Sequence, residues 1–358
     1  MQPPRQGTGA SDVAVSLVVV TYNRAAELLG LLRSLEDDLA RPDVEVILVD
    51  DGSTDATIDR VTPVFGPLGD RGRIIAQGRE GPGTGRNRGI AAARGRLVVF
   101  VDTDCLAHPG WLDALRAPFA DAEVGIAGGP DRSMPDDPLL ARLVDYLMTG
   151  FLVTGGVRGA ARTRGGRYHP RSFNMAVRRE AAVAVGGFPT IWYGEDVLLS
   201  WRVTRLGLRA AFAPDAWVYH RRRTTLSGWA RQLYRMGRAR LWMGRHDPGL
   251  LDPLYLVPLA EWTAGLGAVA AIAAGGAPRV VGVTVVVAAA AFLAAIGIDG
   301  WRRVRHLVAL VATPLMFLMR EAAYALGSLA GMTTRIPDLD GALGRVMPRA
   351  QGGEAEAP

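Results

Sequence analysis

The stretch Val98-Val99-Phe100-Val101-Asp102-Thr103-Asp104 decides how this chain reads, because an unbroken apolar run passes directly into two acids. A run without polar alternation is the pattern of a parallel strand buried on both faces. In open α/β sheets the carboxyl end of such a strand opens onto the ligand crevice. Asp102 and Asp104 stand two residues apart, so a turn leaving the strand lets both reach one hard cation. Carboxylate oxygens suit Mg²⁺ or Mn²⁺, which in turn hold phosphates. A lone Asp-x-Asp is more often a turn that caps the next helix. It becomes a site only if the rest of the chain supplies a nucleotide pocket and a base.

Upstream, residues 16–20 (Ser-Leu-Val-Val-Val) read as a first buried strand that ends at Thr21-Tyr22-Asn23-Arg24. A helix follows with Leu28, Leu31, Leu32 and Leu35 on one face. Residues 44–49 form a second strand ending in Asp50-Asp51-Gly52-Ser53-Thr54-Asp55, with a turn at Gly52 and Ser53 or Thr54 as a helix cap. Residues 73–77 read as a third strand. Gly81-Pro82-Gly83-Thr84-Gly85-Arg86-Asn87-Arg88-Gly89 then opens a helix, and a glycine-rich turn with arginines there can cradle phosphate. After the central strand come a helix from Pro109 and a short strand at 124–127. Strand–helix alternation with acids at the strand ends predicts a doubly wound α/β domain that binds a nucleotide.

Downstream, the glycines and arginines of 155–171 predict a mobile loop, 172–177 a strand, and Gly186-Gly187-Phe188-Pro189 a turn. Tyr193-Gly194-Glu195-Asp196 leads into an amphipathic helix with Val197, Leu198, Trp201 and Leu206 apolar. Residues 217–220 form a short strand ending at His220. Residues 225–243 form a basic helix carrying Trp229, Leu233, Met236, Leu241 and Trp242. Arginines beside tryptophans suit a membrane interface, and a core helix with a solvated face fits equally well.

All 41 basic residues of the 358-residue chain are arginine, and the formal charge is +6. Five arginines fall between Arg158 and Arg171 and eleven between Arg202 and Arg245, clusters suited to phosphate groups or anionic lipid. No stacking-rich or zinc-finger pattern accompanies them, so nucleic acid is not the expected partner. The single Cys105 excludes an internal disulfide and a cysteine metal cage. The apolar start at 13–20 is too short and wrongly flanked for a signal peptide.

Residues 280–298 run without a charge, long enough to cross a hydrocarbon core of about 30 Å. A second candidate at 254–275 carries Glu261, and a third at 307–329 carries Arg320-Glu321. Those charges belong near an interface or paired against another helix. Arginine is dense before the first span and in Trp301-Arg302-Arg303-Val304-Arg305-His306, but 275–279 holds one. The positive-inside rule then puts the α/β domain and the 299–306 loop in the cytoplasm of a multi-pass inner (plasma) membrane protein. Three spans place the tail outside, and an interfacial third helix keeps it inside. The expected domains are a disordered 1–12, an α/β domain at 13–245, a membrane domain of two or three spans at 246–331, and a disordered 332–358.

With these pieces in place the chain resembles the family 2 glycosyltransferases over residues 14–245. The resemblance rests on Val18-Val19-Val20-Thr21-Tyr22-Asn23-Arg24, Val49-Asp50-Asp51-Gly52-Ser53-Thr54-Asp55, Gly85-Arg86-Asn87-Arg88-Gly89, Asp102-Thr103-Asp104 and Gly194-Glu195-Asp196, in the family's order. It implies a GT-A fold, an α/β doubly wound nucleotide-diphospho-sugar transferase domain, here followed by transmembrane helices. By that resemblance Thr21, Asn23 and Asp51 contact the donor nucleotide, with the segment around Asn87 lining the same pocket. Asp102 lies near ribose or sugar, Asp104 binds Mg²⁺ or Mn²⁺, and Asp196 is the general base. His220 is a metal or phosphate candidate, although a structural role is the commoner fate of a lone histidine.

The implied reaction is inverting transfer of a sugar to a hydroxyl of a lipid-linked or glycan acceptor. Such a reaction needs charge stabilisation on the leaving diphosphate and a carboxylate to take the acceptor proton. Asp196 has a plainer reading as a first-turn acid complementing its helix dipole. A polyprenyl-phosphate acceptor, needing no strong base, is the alternative, and an inactive nucleotide-sugar-binding scaffold a further one. Processive relatives carry Gln-x-x-Arg-Trp; here Gln232-Leu233-Tyr234-Arg235-Met236 ends in Met, which speaks for transfer of one or a few sugars.

Overall fold

The computed structural model describes residues 13–154 and 168–346. The expectations for the frayed start, for most of the arginine-rich loop and for the last part of the tail concern residues outside that range. Two compact units divide the chain. The first takes the residues up to Gly128, His169–Ala216 and the segment from Asp340, and the second takes Gly129–Tyr168 and Trp217–Leu339. The continuous domain expected over 13–245 is therefore interrupted, because local hydrophobic pattern does not report where a chain leaves one core for another.

The first unit is built on a seven-stranded sheet. Its strands are β1 (Val15–Thr21), β2 (Val44–Asp50), β3 (Gly72–Ala76), β4 (Leu97–Val101), β5 (Val124–Gly128), β6 (Asn174–Arg178) and β7 (Arg209–Phe212), in the order β3-β2-β1-β4-β6-β5-β7. β1 and β2 are buried along nearly their whole length, as their continuous Val, Ile and Leu runs require. β1 pairs in parallel with β2, Val18 opposite Ile47, and with β4, Leu17 opposite Val99. The order reverses at β1, so the carboxyl ends of β1, β2 and β4 flank the crevice where such sheets bind ligands.

The sheet is mixed. β6 lies antiparallel between β4 and β5, and β7, unread in the sequence, pairs parallel with β5. Hydrophobic pattern reports burial but not strand direction, so the antiparallel insertion was not legible. The core packs Val18, Ile47, Phe100, Met175 and Phe188 with Leu343. Leu343 comes from the segment expected to be disordered. Its N–H donates to the Gly186 carbonyl at 2.8 Å, and that of Ala342 to Phe188 at 3.1 Å. One buried leucine among glycines makes no periodic signal, which is why this part of the tail reads as loose.

In the second unit three helices are long and apolar enough to cross a membrane: Pro253–Ala274, Gly276–Val304 and Ala309–Thr333. The basic helix, Leu226–His246, buries Trp229 and Leu233 in a cluster with Met316 and Phe317 of the last apolar helix. Packing on that helix suits either of its two readings. Glu321 is buried and pairs with its neighbour Arg320 on the same helix, not across to another one.

Candidate active site

The candidate site is a row of loops at the carboxyl ends of β1, β2 and β4. Asn23 follows β1 with φ +50, a left-handed backbone that Asn adopts more readily than most residues. Its Oδ1 accepts from Thr54 N–H at 2.8 Å, and its own N–H donates to Ser53 Oγ at 3.0 Å. The loop after β1 is thereby tied to the loop after β2. Asp50 Oδ1 accepts from Ser53 N–H at 3.1 Å and closes the turn at Gly52.

Asp51 is buried, and its Oδ1 accepts from Gln77 Nε2 at 2.7 Å, Glu80 N–H at 2.8 Å and Gly81 N–H at 3.0 Å. It fixes the start of helix Pro82–Ala92. Thr21 Oγ1 is buried with no hydrogen-bond partner among the described residues. Arg79 lies 3.1 Å from the centre of the Tyr22 ring, a cation–π stack beside these loops.

The helix Pro82–Ala92 owes its glycines to packing. A Cβ on Gly85 would lie 2.7 Å from Val20 Cγ1, and one on Gly89 2.2 Å from Val18 Cγ1. The helix therefore rides directly on β1. Asn87 likewise turns inward. Its Nδ2 donates to the Phe188 carbonyl and its Oδ1 accepts from Phe188 N–H, both at 2.8 Å. Expected to line the nucleotide pocket, it instead holds the Gly186–Phe188 turn.

Arg86, on the same helix, is the residue that sequence reasoning quoted without giving it a task. It is buried, and its Nη2 donates to Asp102 Oδ1 at 2.9 Å while Nη1 donates to Glu195 Oε1 at 3.2 Å. Burial alone would lower its affinity for the proton, but the charges of Asp102 and Glu195 outweigh that and hold it above the ordinary arginine value. Burial, reinforced by the neighbouring Asp196 carboxylate, pushes the Glu195 carboxyl up to about 8 against the pull of Arg86. In the sequence Arg86 is one of two arginines in a glycine-rich helix start, and nothing local marks its acidic partners.

Asp196 lies in the first turn of helix Glu195–Arg205, which Gly194 enters with φ +86. Its Oδ1 accepts from Val197 N–H at 2.8 Å, and its Oδ2 lies 3.6 Å from Arg171 Nη1. The dipole reading of Asp196 is thus satisfied, and the second oxygen still faces a cation. Asp104 Oδ2 accepts from Arg24 Nη1 at 3.0 Å. Side-chain exposure of 35% at Asp102 and 20% at Asp104 keeps both within reach of a ligand. These carboxylates each draw a guanidinium, and their hard oxygens fit a divalent cation chemically.

The first unit thus brings Thr21, Asn23, Asp51, Asp102 and Asp104 to one set of strand ends, and Arg86 ties Asp102 to Glu195 beside Asp196. His220 belongs to the second unit, where its Nδ1 lies 3.6 Å from Asp131 Oδ2. Asp131 is also paired with the buried Arg222, which lies 2.6 Å from Asp145. Burial would lower the Arg222 proton affinity, but those two acids raise it overall.

A mixed sheet with acids gathered at its carboxyl ends is the architecture of the GT-A transferases. "Glycosyl transferase family 2" matches residues 16–186. The chain is 31% identical over 255 residues to the pre-mycofactocin glycosyltransferase of Mycobacterium tuberculosis (strain ATCC 25618 / H37Rv), covering 71% of this chain and 52% of that protein. It is 32% identical over 231 residues to the succinoglycan biosynthesis protein ExoO of Rhizobium meliloti (strain 1021), covering 60% and 62%. The chain thus spans little more than half the length of these relatives. Among solved structures, the mannosyltransferase PcManGT from Pyrobaculum calidifontis, in complex with GDP-Man and Mn²⁺, has a similar fold. Its TM-score is 0.65 at 22% identity, over 89% of this chain and 87% of that one. Residues 16–186 are thus a glycosyl transferase family 2 domain, and the fold is GT-A.

Proposed function

We propose that the chain is a membrane-anchored, metal-dependent, inverting glycosyltransferase that moves a sugar from a nucleotide-diphospho-sugar to a hydroxyl of a lipid-linked or glycan acceptor. The observation that carries this reading is the hydrogen-bonded ladder Asp102–Arg86–Glu195, which joins the acids after β4 to the helix start that holds Asp196. Donor-side and acceptor-side acids are thereby fixed in one frame. The description of the archaeal mannosyltransferase with GDP-Man and Mn²⁺ supports a donor and a cation of these classes.

In the reaction the acceptor oxygen attacks the anomeric carbon as its proton passes to Oδ2 of Asp196. The bond from that carbon to the diphosphate oxygen breaks, and its electron pair leaves with the diphosphate. A single displacement inverts the anomeric centre. Asp104 would hold the Mg²⁺ or Mn²⁺, which supplies positive charge to the leaving diphosphate when bound. Thr21, Asn23 and Asp51 bind or shape the nucleotide side, and Asp102 meets ribose or sugar. The arginine-rich loop 302–305 and the near-neutral 275–279 favour the cytoplasmic face for this chemistry.

The test is turnover of nucleotide-sugars by the full chain, with and without Mn²⁺, in wild type, Asp104→Ala and Asp196→Asn. Both variants should lose at least a hundredfold in kcat; wild-type-like turnover in both sinks the assignment. The contact of Arg171 with Asp196 favours a second reading, a lipid-phosphate acceptor, because a guanidinium beside the base also steadies an attacking phosphate. Under that reading Asp196→Asn keeps most of its activity with a polyprenyl phosphate and none with a hydroxyl acceptor.

A further inference from the structure

We propose that the second unit binds the phosphate head of a membrane lipid in a cavity at the carboxyl end of helix Gly276–Val304. The cavity measures 460 Å³, within the span of about 300–1,000 Å³ usual for small-ligand sites. Arg142, Asp145 and Tyr146 of helix Leu139–Thr149 line one side, and Arg302, Arg303 and Arg305 line the other. No residue of the catalytic assignment takes part.

The charges there are not all spent. Asp145 is already paired with Arg222 at 2.6 Å, and Arg303 with Asp299 at 3.2 Å. Arg142 donates to the Val304 carbonyl and so caps the helix. Arg302 and Arg305 carry no ion pair among the described residues. The backbone ends the helix by placing Arg305 at φ +55, a left-handed conformation that bulky side chains rarely adopt. A helix carboxyl end carries only about half a negative charge, so two uncommitted guanidiniums outweigh it and leave the cavity attractive to an anion.

Phosphate is the anion that suits this setting. Guanidinium groups bind it through forked hydrogen bonds. Helix Gly276–Val304 contributes an uncharged apolar stretch to the wall's approach, and basic pockets beside such helices on the cytoplasmic side hold anionic lipid heads. The inference rests on the reading of these helices as membrane segments, and not on catalysis.

The experiment uses the purified full chain in neutral detergent, with lipid binding followed by native mass spectrometry and by thermal shift. The probes are undecaprenyl phosphate, phosphatidylglycerol, phosphatidylcholine and inorganic phosphate. The two anionic lipids should bind and raise the melting temperature, and phosphatidylcholine should do neither. In Arg302→Gln/Arg305→Gln, both exposed positions, that binding should fall at least tenfold while the lipid-free melting temperature stays put. Preference for undecaprenyl phosphate identifies a reactive lipid as the ligand, and equal binding of both identifies the anionic head in general; either supports the site. Equal binding of phosphatidylcholine, undiminished binding in the double variant, or inorganic phosphate matching the lipids each overturns it. Donor turnover enters none of these readouts, so a failed catalytic assignment leaves the result interpretable. A chain that extracts from membranes with alkaline carbonate instead fails the membrane reading itself.

Discussion

Arg86 spans two acids that stand far apart in sequence, with its bond to Glu195 buried and its bond to Asp102 part-buried. Removing one member of a buried charge pair leaves the other uncompensated, at a cost of about 3–5 kcal/mol. Arg86→Met should therefore lower unfolding stability by that order, read by urea denaturation of the full chain. Arg86→Lys keeps a charge but lacks the fork that reaches two carboxylates, so it should fold and still lose most turnover. Equal activity in Arg86→Lys and wild type would show that the ladder is merely structural. Glu195 gives a second residue-scale prediction. The folded chain holds its proton up to about pH 8, whereas an unfolded chain loses it near the ordinary glutamate value of 4.5. The stabilisation is then full below pH 4.5 and is lost as pH rises through 8. Melting temperature should fall with pH between 5 and 8.5 more steeply in wild type than in Glu195→Gln, and parallel slopes would refute this. At this scale the sequence showed where the acids lie but not how they are spent. Asp51 and Asn87 read as ligand contacts, yet each uses its oxygens on backbone amides, which only three-dimensional proximity reveals.

The helix Pro82–Ala92 shows what an element-scale reading gains and misses. Its start at Pro82 and its glycines were legible; the reason for the glycines was not, because close approach to β1 is a long-range fact. A Cβ on Gly89 would meet Val18 Cγ1 at 2.2 Å, a distance no side-chain contact tolerates. Gly89→Ala should then cost about 1–3 kcal/mol as the helix is pushed off the sheet. Val18→Ala in the same chain should recover part of that loss, a coupling that a double-mutant cycle on urea midpoints measures. Simple additivity of the two substitutions would show that the helix yields elsewhere. The strands were read through burial, and all those quoted from β1 to β6 exist within a residue or two of their expected limits. The direction of β6 and the existence of β7 escaped, since neither leaves a mark in local composition.

The number of membrane crossings is a property of the whole chain, and its tail decides between the alternatives. The apolar helices follow the first unit in sequence, and then residues from Asp340 return to that unit, with Leu343 1% exposed in its core. A segment packed in that core lies on the same side of the membrane as the core. If the apolar helices cross a membrane, an even number of crossings is expected between them, that is two. The expected interfacial helix is then Ala309–Thr333, which buries Glu321 beside Arg320 and packs along the basic helix Leu226–His246. Close contacts there need glycine: a Cβ on Gly327 would sit 2.0 Å from the Tyr234 carbonyl oxygen. Single cysteines at Ala277 and at Gly344, where an added Cβ meets nothing within 4 Å, separate the two topologies. The background is Cys105→Ser, which removes the buried native thiol. With a membrane-impermeant maleimide on intact cells, Ala277→Cys should label and Gly344→Cys should label only after permeabilisation. Labelling of Gly344→Cys in intact cells would restore three crossings and require the tail to leave the core in which it is packed.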